Sequence, residues 1–357
     1  MQTGNSVMPF RWRLRARCGI PAANSSLTDA PHSMIAPIRL LAAALLFWPA
    51  FLPSRSDCAP VRIAYAAIAA NTAGVWMAQG TGAFKNQGLE VQFIYISSSA
   101  TNVQALLSGS IDVMVGGASG IVSAAARGAP LVAVGSQMNK APATLYVQPE
   151  IADPAQLKGA LLGISRPNSS THVLTALVLR KLGLENAATL RSFGDIPGIH
   201  AAFDRKIIAG MVSTVTPKTP HRALANAADL DIPYAMSVIA VTRNYLQTRR
   251  ATVERVLRAY VEGVATMVRN KETASRILAK YLRRDEPAFL DETYAFVRKY
   301  TERTPRVDAR VVPLLLEFDP VKGVEAEALT ARMIDNSIVD QLPQEQFIQK
   351  QFGKEFR

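Results

Sequence analysis

The sequence predicts an α/β protein of two lobes, with the second lobe inserted within the first and helices added at the C terminus. Three observations predict this class. From Val61 onward, short β-prone runs alternate with amphipathic segments, as in βαβ units of a mostly parallel sheet. The alternation restarts after Val147, and after Thr242 the pattern becomes helical. The chain has 357 residues, which is enough for two lobes of ordinary domain size.

The first half contains four predicted strands, each followed by a loop of small residues and a helical segment. Asn71 and Thr72 precede the first helix and are residue types that cap helix N-termini. The predicted strands are residues 61–65, 89–96, 111–115 and 131–134, and further helices are residues 103–107 and 121–127. Residues 144–147 form another extended run.

The second half repeats this pattern before the chain returns to the first lobe through residues 232–241. Strands are predicted at residues 161–164, 190–193 and 208–215, and helices at residues 171–182 and 199–206. We predict an N-terminal extension and signal peptide over residues 1–58. The first lobe is then residues 59–147 plus 236–357, and the second lobe is residues 148–235.

The C-terminal helices are predicted from apolar periodicity. Val253, Val256, Leu257 and Tyr260 recur at i, i+3, i+4 and i+7, and the stripe continues to Val268. Further helical segments are predicted near residues 277–282 and 289–297. The charged residues of this region are interpreted as solvated helix faces.

The N-terminal region predicts an exported protein. Residues 40–52 form a short apolar run behind Arg39, which is typical of a secretory signal and too short for a bilayer span of about 20 residues. We place the signal peptide around residues 34–56, with translation starting at Met34; a buried helix is the alternative interpretation.

Charge and cysteine usage exclude several function classes. The net charge is +12, of which six arginines and one aspartate in residues 1–56 account for five, so that +7 remains for the rest. No basic run is interleaved with aromatic residues, so nucleic acid is not a predicted partner, whereas an anionic ligand suits the balance. The two cysteines, Cys18 and Cys58, exclude a Cys-based metal cluster. We predict no metal and no cofactor.

Catalytic motifs are missing from the sequence. His172, His200 and His221 do not stand in metal-binding spacing, and the chain has neither a Gly-x-Ser-x-Gly elbow nor a phosphate-binding loop. Each histidine is interpreted as structural or exposed. The sequence therefore predicts a protein that is not an enzyme.

Small hydrogen-bonding residues recur where the predicted strands end, and ligands of such sheets bind beyond the carboxyl ends of the strands. The stretch "SRPNSSTH" (residues 165–172) precedes a helix, so it is either a helix cap or a site for a small anion. We predict that a shared cleft is formed by Asn71, Thr72, Ser98, Ser99, Gly117, Ala118, Ser119, Asn168, Ser169, Ser170, Thr171, Thr214 and Thr216.

Five segments carry a resemblance to a known family. They are "GAFKNQGLEVQF" (82–93), "ALLSGSIDVMVGG" (105–117), "LKGALLGIS" (157–165), "ALVLRKLGL" (176–184) and "VERVLRAYVEG" (253–263). With these segments the chain resembles the periplasmic substrate-binding proteins of ABC importers for nitrate, sulfonate or taurine, a family that also includes binders of thiamine-pyrimidine precursors.

The resemblance implies a type II periplasmic binding protein whose two lobes close on a small organic or inorganic anion. It implies a monomer that delivers this ligand to an ABC permease in the inner membrane. Residues 201–210 depart from the family pattern, because the usual glycine turn and acidic residue are missing. Thiamine-pyrimidine-precursor binding or synthesis remains an alternative, although the cysteine cluster of the synthesising relatives is missing. A sensory ligand-binding module is another.

Overall fold

The structure of the protein is a computed structural model that describes residues 59–230 and 232–353. The predicted extension, the signal peptide and both cysteines lie outside the described residues. Two five-stranded sheets with surrounding helices form one compact unit, which confirms the predicted two-lobed α/β class. None of the helices in these ranges combines the length and apolarity that a membrane crossing requires.

The first sheet has the strand order β2-β1-β3-β10-β4. Its strands, numbered in chain order, are β1 (Val61–Tyr65), β2 (Val91–Tyr95), β3 (Val113–Gly116), β4 (Leu131–Met138) and β10 (Ser237–Thr242). β1 lies parallel to β2 and β3, with Ile63 opposite both Phe93 and Val113. β10 is antiparallel to β3 and β4. Every residue of β3 and β4 is buried, which explains why β3 and the first half of β4 are continuous apolar runs.

Four helices follow the strands of the first lobe: α1 (Ala73–Gly80), α2 (Ala83–Asn86), α3 (Ser99–Leu107) and α4 (Ala118–Ala126). A 3-10 turn at Ala70–Thr72 precedes α1. The predicted capping role of Thr72 is wrong, because its Oγ1 donates to the carbonyl oxygen of Ala67 at 2.9 Å instead. α3 begins four residues earlier than predicted, since its first turn consists of small residues without apolar periodicity.

The second sheet has the strand order β7-β6-β8-β5-β9. Its strands are β5 (Thr144–Val147), β6 (Leu161–Ile164), β7 (Thr189–Ser192), β8 (Gly210–Ser213) and β9 (Arg222–Asn226), and its helices are α5 (Ser170–Lys181) and α6 (Ile196–Asp204). β6 is parallel to β7 and β8, and β5 lies antiparallel between β8 and β9.

The predicted lobe boundary at Val147 needs correction. The predicted first lobe includes β5, but β5 pairs only with strands of the second sheet. The chain therefore crosses between Met138 and Thr144 and returns between Asn226 and Ser237. The two crossovers are joined by backbone hydrogen bonds of 2.8 Å, from Met236 to Met138 and from Ala227 to Ala143.

Helices complete the chain after β10. They are α7 (Arg243–Thr248), α8 (Arg250–Arg269), α9 (Lys271–Leu282), α10 (Pro287–Tyr300), α11 (Val311–Phe318), α12 (Ala326–Met333), α13 (Ser337–Gln344) and α14 (Phe347–Phe352). The predicted apolar stripe of α8 is buried against α1, where Gly263 lies so close that a Cβ there would be 2.6 Å from the Cα of Ala78. The buried side chains of α8 form one apolar core with α1, α9, α10, α13, α14 and one face of the first sheet.

Candidate ligand-binding cleft

A cleft of about 710 Å³, counting its open mouth, lies between the two sheets, beyond the carboxyl ends of their parallel strands. Its polar lining residues are Asn71, Thr72, Ser98, Ser99, Ser165, Ser169, Ser170, Thr171, His200, Ser213, Thr214 and Ser237. The remaining lining residues are Ala66, Ala67, Val115, Gly116, Gly117, Ala143, Leu174, Ile196, Ile199, Val212 and Met236. Residues of both lobes thus face one shared space.

The first-lobe wall contains two buried polar groups without a partner. Asn71 is 6% exposed and Ser98 is 7% exposed. Neither the Oδ1 of Asn71 nor the Oγ of Ser98 makes a hydrogen bond in the described part of the chain. Ser98 also has a φ of 75°, a left-handed conformation that strains a residue other than glycine. Unpaired polar groups and local strain beside a cleft are typical of a ligand site.

The two lobes meet at the first residues of two helices. Ser99 begins α3 in the first lobe, Ser170 begins α5 in the second, and their Oγ atoms are 3.5 Å apart. Gly117 makes this approach possible, because a Cβ there would lie 2.8 Å from the Cβ of Ser170. The N-terminal ends of two helices therefore point at the same place.

This meeting of helix ends has an electrostatic consequence. Each helix N-terminus carries about half a positive charge, so two such ends that face one another repel unless a negative group lies between them. The N-cap residue of α3, Ser98, makes no side-chain cap bond. In α4 the first amide is already used, since Ala118 donates to the carbonyl oxygen of Ala235 at 3.1 Å. α3 and α5 are the helix ends that lie at the contact between Ser99 and Ser170, so an anion placed there would face both, although the Ser169 cap already uses one first-turn amide of α5.

The "SRPNSSTH" stretch contains both a helix cap and a hydroxyl that faces the opposite lobe. The Oγ of Ser169 accepts from the amide of His172 and caps α5, at 3.4 Å. It also lies within hydrogen-bond distance of Ser165 Oγ (2.9 Å) and Thr171 Oγ1 (3.0 Å). These three hydroxyls satisfy one another, whereas Ser170 faces the opposite lobe.

Four of the predicted residues do not line the cleft. Asn168 donates its backbone amide to Nδ1 of His172 at 3.0 Å, and Ser119 accepts from the hydroxyl of the buried Tyr234 at 3.1 Å. Thr216 pairs with the hydroxyl of Tyr146 at 3.2 Å. Ala118 follows the lining residue Gly117 but is not part of the lining. The structure brings the other nine together: Asn71, Thr72, Ser98, Ser99, Gly117, Ser169, Ser170, Thr171 and Thr214.

His200 and Ser213 are lining residues that the sequence reasoning missed. Their Nε2 and Oγ atoms are 2.9 Å apart, and the same Oγ accepts from the amide of Val215 at 3.0 Å. Burial lowers the pKa of His200, an effect that the charge of Asp204 partly opposes, so the imidazole is neutral at neutral pH. A lone histidine carries no spacing signal, which is why the sequence did not single it out.

Ser237 is a further lining residue without a sequence signal. Its Oγ accepts from Nε2 of Gln137 at 2.9 Å, and Oε1 of Gln137 accepts from the amide of Val75 at 2.9 Å. Gln137 thereby links β4, β10 and the start of α1 behind the cleft. Only the fold brings these three segments together.

The cleft wall lacks a formal charge. None of the 23 described residues that line it is Lys, Arg, Asp or Glu. Arg166, the one arginine in the predicted cleft loops, is exposed and lies outside the lining. An apolar surface from Leu174, Ile199, Val212 and Met236 faces the same space as the hydroxyls. Among the described residues, no group of three His, Cys, Asp or Glu side chains could hold a metal ion.

Comparison with known proteins agrees with this geometry. The family model described as "NMT1/THI5 like" matches residues 69–274, more than half of the chain. A search of curated proteins finds no significant match.

Solved structures show the same fold at low sequence identity. The periplasmic aliphatic sulphonate binding protein SsuA from Escherichia coli aligns with a TM-score of 0.60 and 20% identity, covering 81% of this chain and 93% of that one. The alkanesulfonate-binding protein SsuA from Xanthomonas axonopodis pv. citri, bound to MOPS, gives 0.63 and 20%, covering 79% and 97%. The periplasmic nitrate-binding protein NrtA from Synechocystis PCC 6803 gives 0.67 and 12%, covering 83% and 91%.

Proposed function

The chain belongs to the NMT1/THI5-like family and has the fold of periplasmic binding proteins, and from this premise we propose that it captures a small organic anion for an ABC importer. In this proposal the protein is exported to the periplasm and is not an enzyme. It acts as a monomer and delivers its ligand to a permease in the inner membrane. A sulfonate or carboxylate is the proposed acidic group.

The observation that carries the proposal is the meeting of α3 and α5 at Ser99 and Ser170, whose Oγ atoms are 3.5 Å apart. Two positive helix ends and two hydroxyls favour an acidic group at this position without any basic side chain. The apolar wall opposite them favours an organic body over an inorganic ion. Capture would draw the lobes together, because donors from both sides are needed to surround the ligand.

A second candidate is a neutral heterocycle such as a thiamine-pyrimidine precursor. It is favoured by the uncharged wall and by Asn71, whose unpaired Oδ1 is an acceptor suited to a ring or amino N–H. The anion remains the first proposal, because a neutral ring would leave the two facing helix ends uncompensated.

The test is a ligand screen on the full exported protein. Thermal shift followed by calorimetry would compare sulfonates, carboxylates and aminopyrimidines, since a true ligand raises the melting temperature by mass action. Ser99→Ala combined with Ser170→Ala is expected to weaken binding of the best acid by roughly tenfold or more for each hydroxyl.

Ser108→Ala is the matched control, because Ser108 follows the opposite end of α3 and its hydroxyl donates only to Ala105 at 3.0 Å and pairs with Ser110. It should leave binding unchanged. Selective binding of an aminopyrimidine with no response to acids would overturn the proposal of an anionic ligand and support the neutral heterocycle.

A further inference from the structure

A second cavity, which we call the seam cavity, lies beside the cleft between the second lobe and the C-terminal helices. Its volume is about 390 Å³. One side is the loop after β8, with Thr214 and Val215, and the other side consists of Leu282 at the end of α9 and Phe289 and Phe296 of α10. The cavity thus lies at the junction of the second lobe with α9 and α10.

The seam cavity and the cleft share their walls. Thr214 lines both spaces. Ala70 lines the seam cavity, and the next two residues, Asn71 and Thr72, line the cleft. The 3-10 turn at residues 70–72 and the loop at residues 213–216 therefore lie between the two spaces. The turn belongs to the first lobe and the loop to the second. A ligand that extends past Thr214 would enter the seam cavity.

The chemistry of the seam cavity differs from that of the cleft. Its walls carry the aromatic side chains Phe289 and Phe296 together with Leu282 and Val215, all of which are only half-buried. Apolar groups that are partly exposed in a concave space gain free energy when a second apolar group covers them. The threonine hydroxyl at Thr216 is already paired with Tyr146, so it does not demand a polar partner.

The seam cavity carries charges of both signs at its edge, because Glu292 is exposed on its wall and the Arg284 guanidinium lies 3.6 Å from the centroid of the Phe289 ring. Its apolar surface, and not its net charge, therefore suits an uncharged tail. The facing ends of α3 and α5 lie in the cleft. The acidic head and the tail are therefore assigned to different spaces.

On the premise of the proposed function, we propose that the seam cavity is a subsite for the uncharged apolar tail of the captured anion. The protein would then prefer acids with an alkyl or aryl tail over the shortest acids. Each methylene that enters the cavity is expected to tighten binding by roughly fourfold. The gain should end when the cavity is filled.

The experiment measures dissociation constants by calorimetry for ethane-, butane-, hexane- and octanesulfonate and for the carboxylates of the same chain lengths. The readout is the ratio of the constants for the long and short members of each series. This ratio cancels any change that affects all ligands equally, such as easier opening of the lobes. The wild-type protein should show a ratio of at least tenfold.

Two variants change the wall without touching the acid-binding residues. Phe296→Ala removes an aromatic side chain and should reduce the ratio, whereas Val215→Phe fills the cavity and should abolish it while short acids still bind. Phe318→Ala is the matched control, because Phe318 lies against His172 at the opposite junction of the lobes, 5.7 Å between ring centroids. It should leave the ratio unchanged.

The outcomes separate the two proposals. Binding of short acids with no dependence on chain length, or a ratio that both wall variants leave intact, would overturn the subsite alone. Failure of every acid to bind would overturn the proposed function and the subsite together. A ratio that falls in Phe296→Ala and Val215→Phe but not in Phe318→Ala supports the subsite.

Discussion

His200 shows how a single side chain in the cleft ties stability to pH. Its neighbour in the cleft is Ser213, and burial keeps its pKa below the ordinary value of 6.5. The unfolded chain therefore binds a proton at this position at a higher pH than the folded protein does. The free energy of unfolding consequently decreases as the pH falls below about 6.5 and recovers as the pH rises again.

Replacing His200 tests the predicted direction of this pH dependence. We expect His200→Gln to show a smaller loss of unfolding free energy than wild type when the pH is lowered from about 7.5 to about 5, measured by urea denaturation. Glutamine keeps a hydrogen-bonding group near Ser213 but does not titrate. Equal pH profiles for both proteins would contradict the prediction.

Glu302 provides a control in which the pH dependence of stability has the opposite direction. Burial raises the pKa of this carboxyl, which accepts from the amide of Asn139 in the first crossover at 3.4 Å. Because the folded protein holds this proton more strongly, its contribution to stability falls as the pH rises from about 4.5 toward the raised pKa. Glu302→Gln should therefore shift the profile in the direction opposite to His200→Gln.

At the scale of elements, α1 and α8 pack closely because Gly263 has no side chain. A Cβ at this position would lie 2.6 Å from the Cα of Ala78 and 2.8 Å from the carbonyl carbon of Met77. Backbone atoms cannot rotate away as a side chain can, so the two helices would have to separate. Apolar burial along the whole stripe of α8 depends on that contact.

Gly263→Ala is expected to lower the free energy of unfolding by about 2 kcal/mol or more, even though alanine favours helix by about 1 kcal/mol. Gly80→Ala is the matched control on the partner helix, where the three atoms nearest to the added Cβ would all belong to the Ile277 side chain, the closest at 2.7 Å. It should lower stability by less than Gly263→Ala does, because a side chain can shift where backbone cannot. Equal losses in the two variants, measured by chemical denaturation, would show that backbone contact is not the cause.

The end of α11 is an element that contacts both lobes. Asp319 accepts at 3.0 Å from Arg127, the residue after α4, and Arg127 together with Ser123 holds the pKa of this carboxyl below its ordinary value. Glu317 pairs with Arg180 of α5 at 3.0 Å. This exposed ion pair contributes at most about 1 kcal/mol, so α11 joins the lobes without fixing them permanently.

The sequence predicted the bounds of strands well where burial is continuous. It predicted them poorly where polar contacts determine how far a strand extends. β1, β5 and β6 have the predicted bounds, because each is a compact β-prone or apolar run. β4 extends to Met138, past the predicted end, since Gln137 finds its partners Val75 and Ser237 inside the protein. β9 was missed because its half-exposed sequence, RALAN, has neither alternation nor apolar continuity.

Only the part of the candidate site that follows directly after strand ends could be predicted from the sequence. Loops that follow parallel strands must meet at one edge, so Asn71, Ser99 and Ser170 were expected to converge. Which hydroxyl turns toward the cleft depends on local bonding, and Asn168 instead supports His172. His200 and Ser237 are brought to the site only by tertiary packing, and no local sequence pattern predicts that packing.

At the scale of the whole molecule, the two lobes are joined by two crossovers and touch across the cleft. The crossovers are hydrogen-bonded to each other at Met138 and Met236, and at Ala143 and Ala227. Tyr234, on the returning crossover, is fully buried against Ser119. Motion of one lobe against the other must therefore pass through these short segments while each sheet stays intact.

A cross-link between the lobes tests whether this arrangement is the ligand-holding state. Ser99 and Ser170 belong to opposite lobes, and their Oγ atoms are 3.5 Å apart, so cysteines at both positions need only a small shift to form a disulfide. In a Cys18→Ser, Cys58→Ser background, Ser99→Cys with Ser170→Cys would be the only thiols in the chain. The reduced double-cysteine protein is expected to bind the acid more weakly than wild type, because both hydroxyls are lost, and oxidation should block the uptake that remains.

Reduction of the same protein should restore exchange, which separates the cross-link from any effect of the substitutions themselves. Ser108→Cys with Ser170→Cys is the matched pair, because Ser108 follows the far end of α3 and should not be joined to the second lobe. Exchange is followed by displacement of a labelled acid. If the oxidised protein exchanges ligand as fast as the reduced one, the contact between Ser99 and Ser170 does not mark the closed state. The entry and exit of the ligand would then have to occur without separation of the lobes at this point.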